Sequence, residues 1–257
     1  MSRRYTSARF LQAERLLFDA ATTAGGPAVA PDSDRWMDGK YLGADQKAAL
    51  EQVMRSGHAV QVLVGPAGSG KTATLKALAD LWHRQWRKPN SVVGLSPSAT
   101  GAIELQKSLG IRCETVARWL WQSEGPGVDG YTDIADHASF LPGGAGRTRE
   151  RAQHAVDLQE GAKPLARHWG IHDPADRYRM HPGQLVIVDE ASLAGTLALD
   201  DLAIQVAAAG AKLLLVGDHH QLGAVDAGGA FGLLATTGRA HRLREPSPEE
   251  YLSLLVR

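Results

Sequence analysis

The chain has 257 residues, 44% of them hydrophobic, with 28 basic and 28 acidic side chains. That length suits one domain, or one domain and a short partner, around a buried core. The formal net charge of +0 exerts no bulk pull toward nucleic acid or membrane, although a local basic groove is compatible with it. The single cysteine, Cys113, excludes an intrachain disulfide and a CxxC metal site. It is expected to be a small buried apolar residue. No apolar run reaches the ~18 residues of a membrane-spanning helix. The opening MSRRYTSARFLQAERLLFDAA lacks the continuous apolar stretch and cleavage pattern of a secretory signal. A soluble, cytoplasmic protein with no membrane partner is the expectation.

Thr6–Ala21 predicts a helix, with Thr6 or Ser7 as its cap and Leu11, Leu16, Leu17 and Ala20 along one side. Ala21–Gly39, rich in Gly, Pro, Asp and Ala, reads as a linker. From Tyr41 onward strands and helices alternate. The strand candidates are Ala59–Val64, Ser91–Leu95, Leu185–Val188 and Lys212–Val216. All are short Val- and Leu-rich runs, as in strands covered on both faces of a parallel sheet. Leu75, Leu78, Trp82 and Trp86 fall at helical spacing between the first two. Such alternation predicts an α/β fold with a parallel sheet flanked by helices. Ser123–Gln184 breaks the rhythm with Gly/Pro clusters and a helix near Thr148–Leu165, and reads as a mostly helical or irregular insertion. His168 and His172 lie four apart there, but a zinc site needs a third ligand that the sequence does not offer.

The chemistry concentrates in VLVGPAGSGKT, which fits G-x-x-x-x-G-K-[ST] at Gly65, Gly70, Lys71 and Thr72. An apolar strand runs into the loop and an amphipathic helix leaves it. Gly65, Pro66, Ala67, Gly68, Ser69 and Gly70 can wrap backbone N–H groups around phosphate, and the helix N-terminus adds positive potential. Lys71 should reach the β- and γ-phosphates of ATP, and Thr72 should offer its hydroxyl to Mg²⁺. The bland alternative is a glycine-rich turn with an exposed lysine.

A second acidic partner for Mg²⁺ follows in LVIVDEAS. Its apolar strand ends at Asp189, a metal candidate, and Glu190, which would orient or deprotonate an attacking water. In KLLLVGDHHQLGAV a further strand ends at Gly217 and Asp218, and Gln221 could hydrogen-bond the γ-phosphate. On chemistry alone, a polar turn explains that segment equally well.

Taken in order, GPAGSGKT, VDEAS and GDHHQL resemble the first motor domain of superfamily-one DNA helicases of the RecD-like, 5′-to-3′ branch, a RecA-like P-loop NTPase fold. TSARFLQAERLL, CETVARWL, VIVDEASLAGTLALD, VDAGGAFGLL and HRLREPSPEE add a likeness to the helicase part of TrwC/TraI-type conjugative relaxase–helicases, actinobacterial ones above all. The resemblance implies that Gln46, in LGADQKAAL, reads the adenine edge. It implies that Ser96, Pro97 and Thr100, and then Thr115 and Arg118, contact single-stranded DNA. Trp121 reads equally as a base-stacking platform or as core, and Trp119 as core. No HxH cluster of a relaxase occurs, so no DNA nicking is expected, and Tyr5 reads as a helix-entry residue.

Residues 1–40 thus read as an N-terminal helix and linker. By the same resemblance, residues 41–240 are the RecA-like domain, its insertion about 123–184, and 241–257 begin a second motor domain. Arg242 matches the family's first arginine for the γ-phosphate, with a solvated basic tail as the alternative. A motor needs two domains closing on ATP, so a second RecA-like domain or a relaxase supplied in trans is an expected partner.

Overall fold

The structure is a computed structural model that describes residues 8–29, 42–88, 90–124, 177–218, 229–236 and 240–244. The chain divides into two units, one of residues 1–116 with 180–257 and one of residues 117–179. Tyr5, His168, His172, Gln221 and the expected helix Thr148–Leu165 lie outside the described residues.

The larger unit is built on a six-stranded sheet in the order β3-β2-β4-β5-β1-β6. Its strands are β1 (Val60–Val64), β2 (Val92–Ser96), β3 (Arg112–Thr115), β4 (Leu185–Val188), β5 (Lys212–Gly217) and β6 (His241–Arg242). Every neighbouring pair is parallel, so every strand ends at the same sheet edge. The helices are α1 (Ala8–Thr22), α2 (Ala44–Arg55), α3 (Lys71–Trp86), α4 (Ala99–Leu109), α5 (Val116–Glu124), α6 (Thr196–Ala209) and α7 (Ala230–Thr236). Among the described residues no helix is long and apolar enough to cross a membrane.

The strand residues explain the two-sided burial. β1, β2, β4 and β5 are buried at every position. Leu63, Val92, Ile187, Leu214 and Val216 point to one face, where they meet Leu50 and Val53 of α2, Leu75, Leu78 and Trp82 of α3, and Leu105 and Leu109 of α4. With a period of two, the intervening residues serve the opposite face, against which α1, α6 and α7 pack. All four expected strands form, each within one residue of its expected ends. β3 and β6 were not expected. RCET and HR carry no apolar run, and it is the neighbouring strands that pair them.

Two expectations need correction. The buried stripe of α1 is Ala13, Leu17 and Ala21. Leu11 and Leu16 are 56% and 43% exposed, because α1 lies against α6 and β1 on its small-residue side. The start of the expected linker is also held. Gly25 and Gly26 donate to the Gly57 carbonyl, each at 2.8 Å, and Val29 donates to Met54 O at 2.7 Å. Val29 is buried.

Lys212 opens β5 and is fully buried. Its ammonium donates to Val53 O at 2.9 Å and also to Ser56 O, the last carbonyls of α2, and lies over the Trp82 ring. A lysine on one strand thus caps a helix from the sheet. Burial lowers its pKa to about 8.

Candidate nucleotide site

The loop after β1 is shaped by residues that tolerate left-handed backbone. Gly68 has φ 81° and Gly70 φ 77°. At Gly70 a side chain is excluded twice, since a Cβ there would also run into the amide of Gln46. α3 begins directly at Lys71, so its first N–H groups face the concavity of the loop. Ser69 N donates back to Pro66 O at 3.3 Å. Ser69 Oγ is buried with no hydrogen-bond partner among the described residues, an orphaned polar atom inside an anion-shaped cradle.

Lys71 folds back onto its own loop, donating to Gly65 O at 2.6 Å and Pro66 O at 2.8 Å. Burial lowers its pKa, and Asp218 and then Asp189 push it back up. The Asp189 carboxyl is shifted upward by burial, opposed by the Glu190 N–H and by Lys71. The sheet order explains this trio. β5 lies between β1 and β4, so Asp218, just past β5, stands between the loop that follows β1 and the acids that follow β4. Thr72 is exposed in the first turn of α3.

These groups fit a nucleotide phosphate chain with a divalent cation. The cradle offers N–H groups, Lys71 brings positive charge, and Thr72 and Asp189 carry oxygens of the kind that would hold the cation. Two protein oxygens suffice for Mg²⁺, which keeps phosphate and water in its remaining positions.

The other expected residues fall as follows. Gln46, in the first turn of α2, accepts from Gly43 N at 2.9 Å and donates to Ser69 O at 3.0 Å. It therefore grips the phosphate loop through the backbone. Glu190 has a left-handed backbone, φ 55°, and its N–H donates to Asp189 Oδ1 at 2.9 Å. Its carboxylate stands at the first turn of α4, where Oε2 would lie 3.0 Å from a Cβ on Gly101. Ser96 and Thr115 end β2 and β3 side by side. Pro97 leads into α4, whose cap is Ser98, accepting from Gly101 N at 2.9 Å. Thr100 is exposed on α4. Arg118 is exposed and belongs to the smaller unit. In that unit Trp119 is buried, edge-on to Tyr178 at 5.9 Å and 68°, while Trp121 is 48% exposed. Cys113 is partly buried, packs on the core, and has its thiol pKa raised by burial to about 12. Arg242 donates to Ala235 O of α7 at 2.7 Å.

Sequence reasoning missed the anchoring of the segment that contains Arg242. His241 contacts Gln52 and Gln61, both at 2.7 Å. Leu243 N donates to Val64 O at 2.8 Å, and Arg244 N donates to Asp45 Oδ2 at 2.9 Å. A two-residue strand carries no periodicity from which this could be read.

A parallel sheet with the phosphate loop after one strand and acids after two neighbours defines an α/β P-loop NTPase of RecA-like fold. Residues 41–246 match the family model described as AAA domain. The chain belongs to that family. It is 31% identical over 215 residues to the RecBCD enzyme subunit RecD of Mycobacterium tuberculosis, covering 81% of this chain and 31% of that protein. It is 32% identical over 228 residues to the ATP-dependent RecD2 DNA helicase of Deinococcus radiodurans, covering 85% and 24%. With the probable conjugal transfer protein TraA of Sinorhizobium fredii the identity is 26% over 196 residues, covering 76% and 13%. The resemblance to RecD-like and conjugative proteins is thus borne out. The chain spans less than a third of the length of each of these relatives.

Proposed function

We propose that this chain is the ATP-binding motor domain of a superfamily-one, 5′-to-3′ type DNA helicase from a conjugative relaxase–helicase, coupling ATP hydrolysis to single-stranded DNA. The observation that carries the reading is the Lys71–Asp218–Asp189 trio at the ends of three adjacent parallel strands. The RecD2 and TraA relatives support the DNA and conjugation parts of it.

Lys71 leaves its two carbonyl partners to bind the β- and γ-phosphates. The amides of the loop and of the first turn of α3 hold the phosphate oxygens. Thr72 and Asp189 would hold Mg²⁺, which when bound would supply charge neutralisation on the phosphates. Glu190 orients the attacking water and accepts its proton, and Gln221 senses the γ-phosphate. Gln46 ties the adenine edge to the loop through Ser69. Ser96, Pro97, Thr100 and Thr115 contact the strand's backbone; Arg118, on the smaller unit, is a separate DNA contact.

A second reading is a nucleotide-binding module with little turnover of its own that needs a partner motor domain. It is favoured by Arg242, whose guanidinium is engaged on the α7 carbonyl. ATP hydrolysis with and without oligo(dT), with Lys71→Ala as control, separates the two. DNA-stimulated turnover that falls by at least about a hundredfold in the variant supports the motor. Tight ATP binding without turnover in the wild type supports the module.

A further inference from the structure

β6 is shorter than the strand it pairs with, and part of the β1 edge is left open. Leu213 N donates to Ala59 O at 2.8 Å, and Gly65 N to Gly217 O at 3.2 Å. Backbone groups alternate sides along a strand. Ala59, Gln61, Leu63 and Gly65 thus serve β5, while Val60, Val62 and Val64 turn theirs the other way. Val64 meets β6, its carbonyl accepting from Leu243 N at 2.8 Å. β6 begins at His241, opposite Leu63, in register for the Val62 carbonyl and for nothing before it. Val60 N–H, Val60 C=O and Val62 N–H therefore have no backbone partner among the described residues. Yet Val60 and Val62 are only 1% and 4% exposed, and buried backbone groups are rarely left so.

Val60 and Val62 line a cavity of about 480 Å³, within the ~300–1,000 Å³ of small-molecule sites. Ala21 of α1 and Leu234 of α7 wall it from one face of the sheet, and Gln52 and Arg55 of α2 from the other. The cavity is thus a slot in line with the sheet. Its polar side chains already have partners. His241 holds Gln52 and Gln61, Arg55 holds Glu51 at 2.9 Å, and Ser56 holds His58 at 2.9 Å. What remains is a donor–acceptor–donor row of backbone groups beside apolar walls. An added strand is blocked at both ends of that row. β6 stands at one end. At the other, the chain entering β1 is taken by the Ala24–His58 bridge and by Gly25 and Gly26, which donate to Gly57 O.

We propose that this slot holds a flat, uncharged aminopurine ring. Adenine presents an acceptor, a donor and an acceptor in N7, the 6-amino group and N1, the complement of the row. A free adenine nucleoside or nucleotide and an adenine of a DNA strand share that edge. The slot is apart from the phosphate loop. Gln46 stands in the first turn of α2 and Arg55 ends the helix, roughly 14 Å further along its axis. The proposal stands or falls independently of the function proposed above.

Backbone amide NMR of the full chain tests it, with adenosine as the probe because it carries no phosphate. Adenosine is expected to shift the Val60 and Val62 amides saturably. Inosine has a carbonyl in place of the 6-amino group and a proton on N1, so it reverses the edge at two positions. It should bind there at least about tenfold more weakly. No shift of these amides, or equal shifts with inosine, overturns the proposal. Ala21→Leu fills the slot and should abolish the adenosine shifts while residues 65–72 still respond to ATP. Retained shifts in that variant, once it is shown to be folded, also overturn the proposal. Oligo(dA) against oligo(dT) separates the two sources. Movement of the same amides by oligo(dA) alone of the two assigns a strand base, and a response to adenosine without one to oligo(dA) assigns a free nucleoside or nucleotide.

Discussion

Lys212 is a case of a single residue doing the work of a cap sequence. α2 ends without a glycine in its C-cap; Ser56 stands there with extended backbone. The helix's last carbonyls are met instead by an ammonium from β5. Lys212→Met keeps the apolar stem and leaves Val53 O and Ser56 O without that donor. It should cost about 2 kcal/mol, read as a lowered urea midpoint at unchanged slope. The lysine at the head of KLLLV was legible as a strand start and nothing more, because its partners lie more than 150 residues away in the chain. The phosphate loop was legible for the opposite reason. Its chemistry is local, and a single octapeptide carries the glycines, the lysine and the hydroxyl. Glu190 falls between the two. Its residue type and its place after an apolar strand were readable, but its left-handed backbone, φ 55°, is something no spacing reveals.

At the scale of elements, β6 and α2 are bound by a histidine. His241 bridges Gln52 of α2 and Gln61 of β1. Burial, and then the charge of Lys212, lower its pKa to about 4, so the ring is neutral at pH 7. A neutral ring has one N–H, so one of the two amides must present its NH₂. Gln61 already directs its own toward Val53 O, which leaves Gln52. The native pKa lies below the unfolded value of about 6.5. Stability is therefore fully present above about pH 6.5 and is lost as pH falls toward 4, by on the order of 3 kcal/mol. Chemical denaturation at pH 7 and pH 4.5 should show this loss, and His241→Asn should flatten it. The long, fully buried strands were readable because two-sided burial leaves an unbroken apolar run. The edge strands β3 and β6 were not, since four and two residues borne by a neighbour need no pattern of their own.

At the scale of the molecule, the chain corresponds to less than a third of each relative described. If an arginine from a second RecA-like domain completes the site, this chain alone turns over slowly. Fusing such a domain after Arg257 should raise the DNA-stimulated rate by roughly a thousandfold. Turnover already at the fused rate in the single chain would show that the site needs no arginine in trans. The division of labour follows from the parallel sheet. Every strand ends at one edge, so the groups proposed for the nucleotide after β1, β4 and β5 share that edge with Ser96 and Thr115, which end β2 and β3 and are proposed for the DNA strand.

The short edge strand has a mechanical consequence. Leu243 and Arg244 leave β6 tied to β1 and to the first turn of α2, while His241 and Arg242 behind them hold α2, β1 and α7. Tension arriving along the chain from beyond Arg244 meets the Asp45 bond first and the Val64 bond next. The attachments behind these two lie on different elements, so releasing the segment means breaking bonds to α2, β1 and α7 in turn. Because Asp45 is the neighbour of Gln46, the first attachment to feel the pull is also the one nearest the residue that grips the phosphate loop.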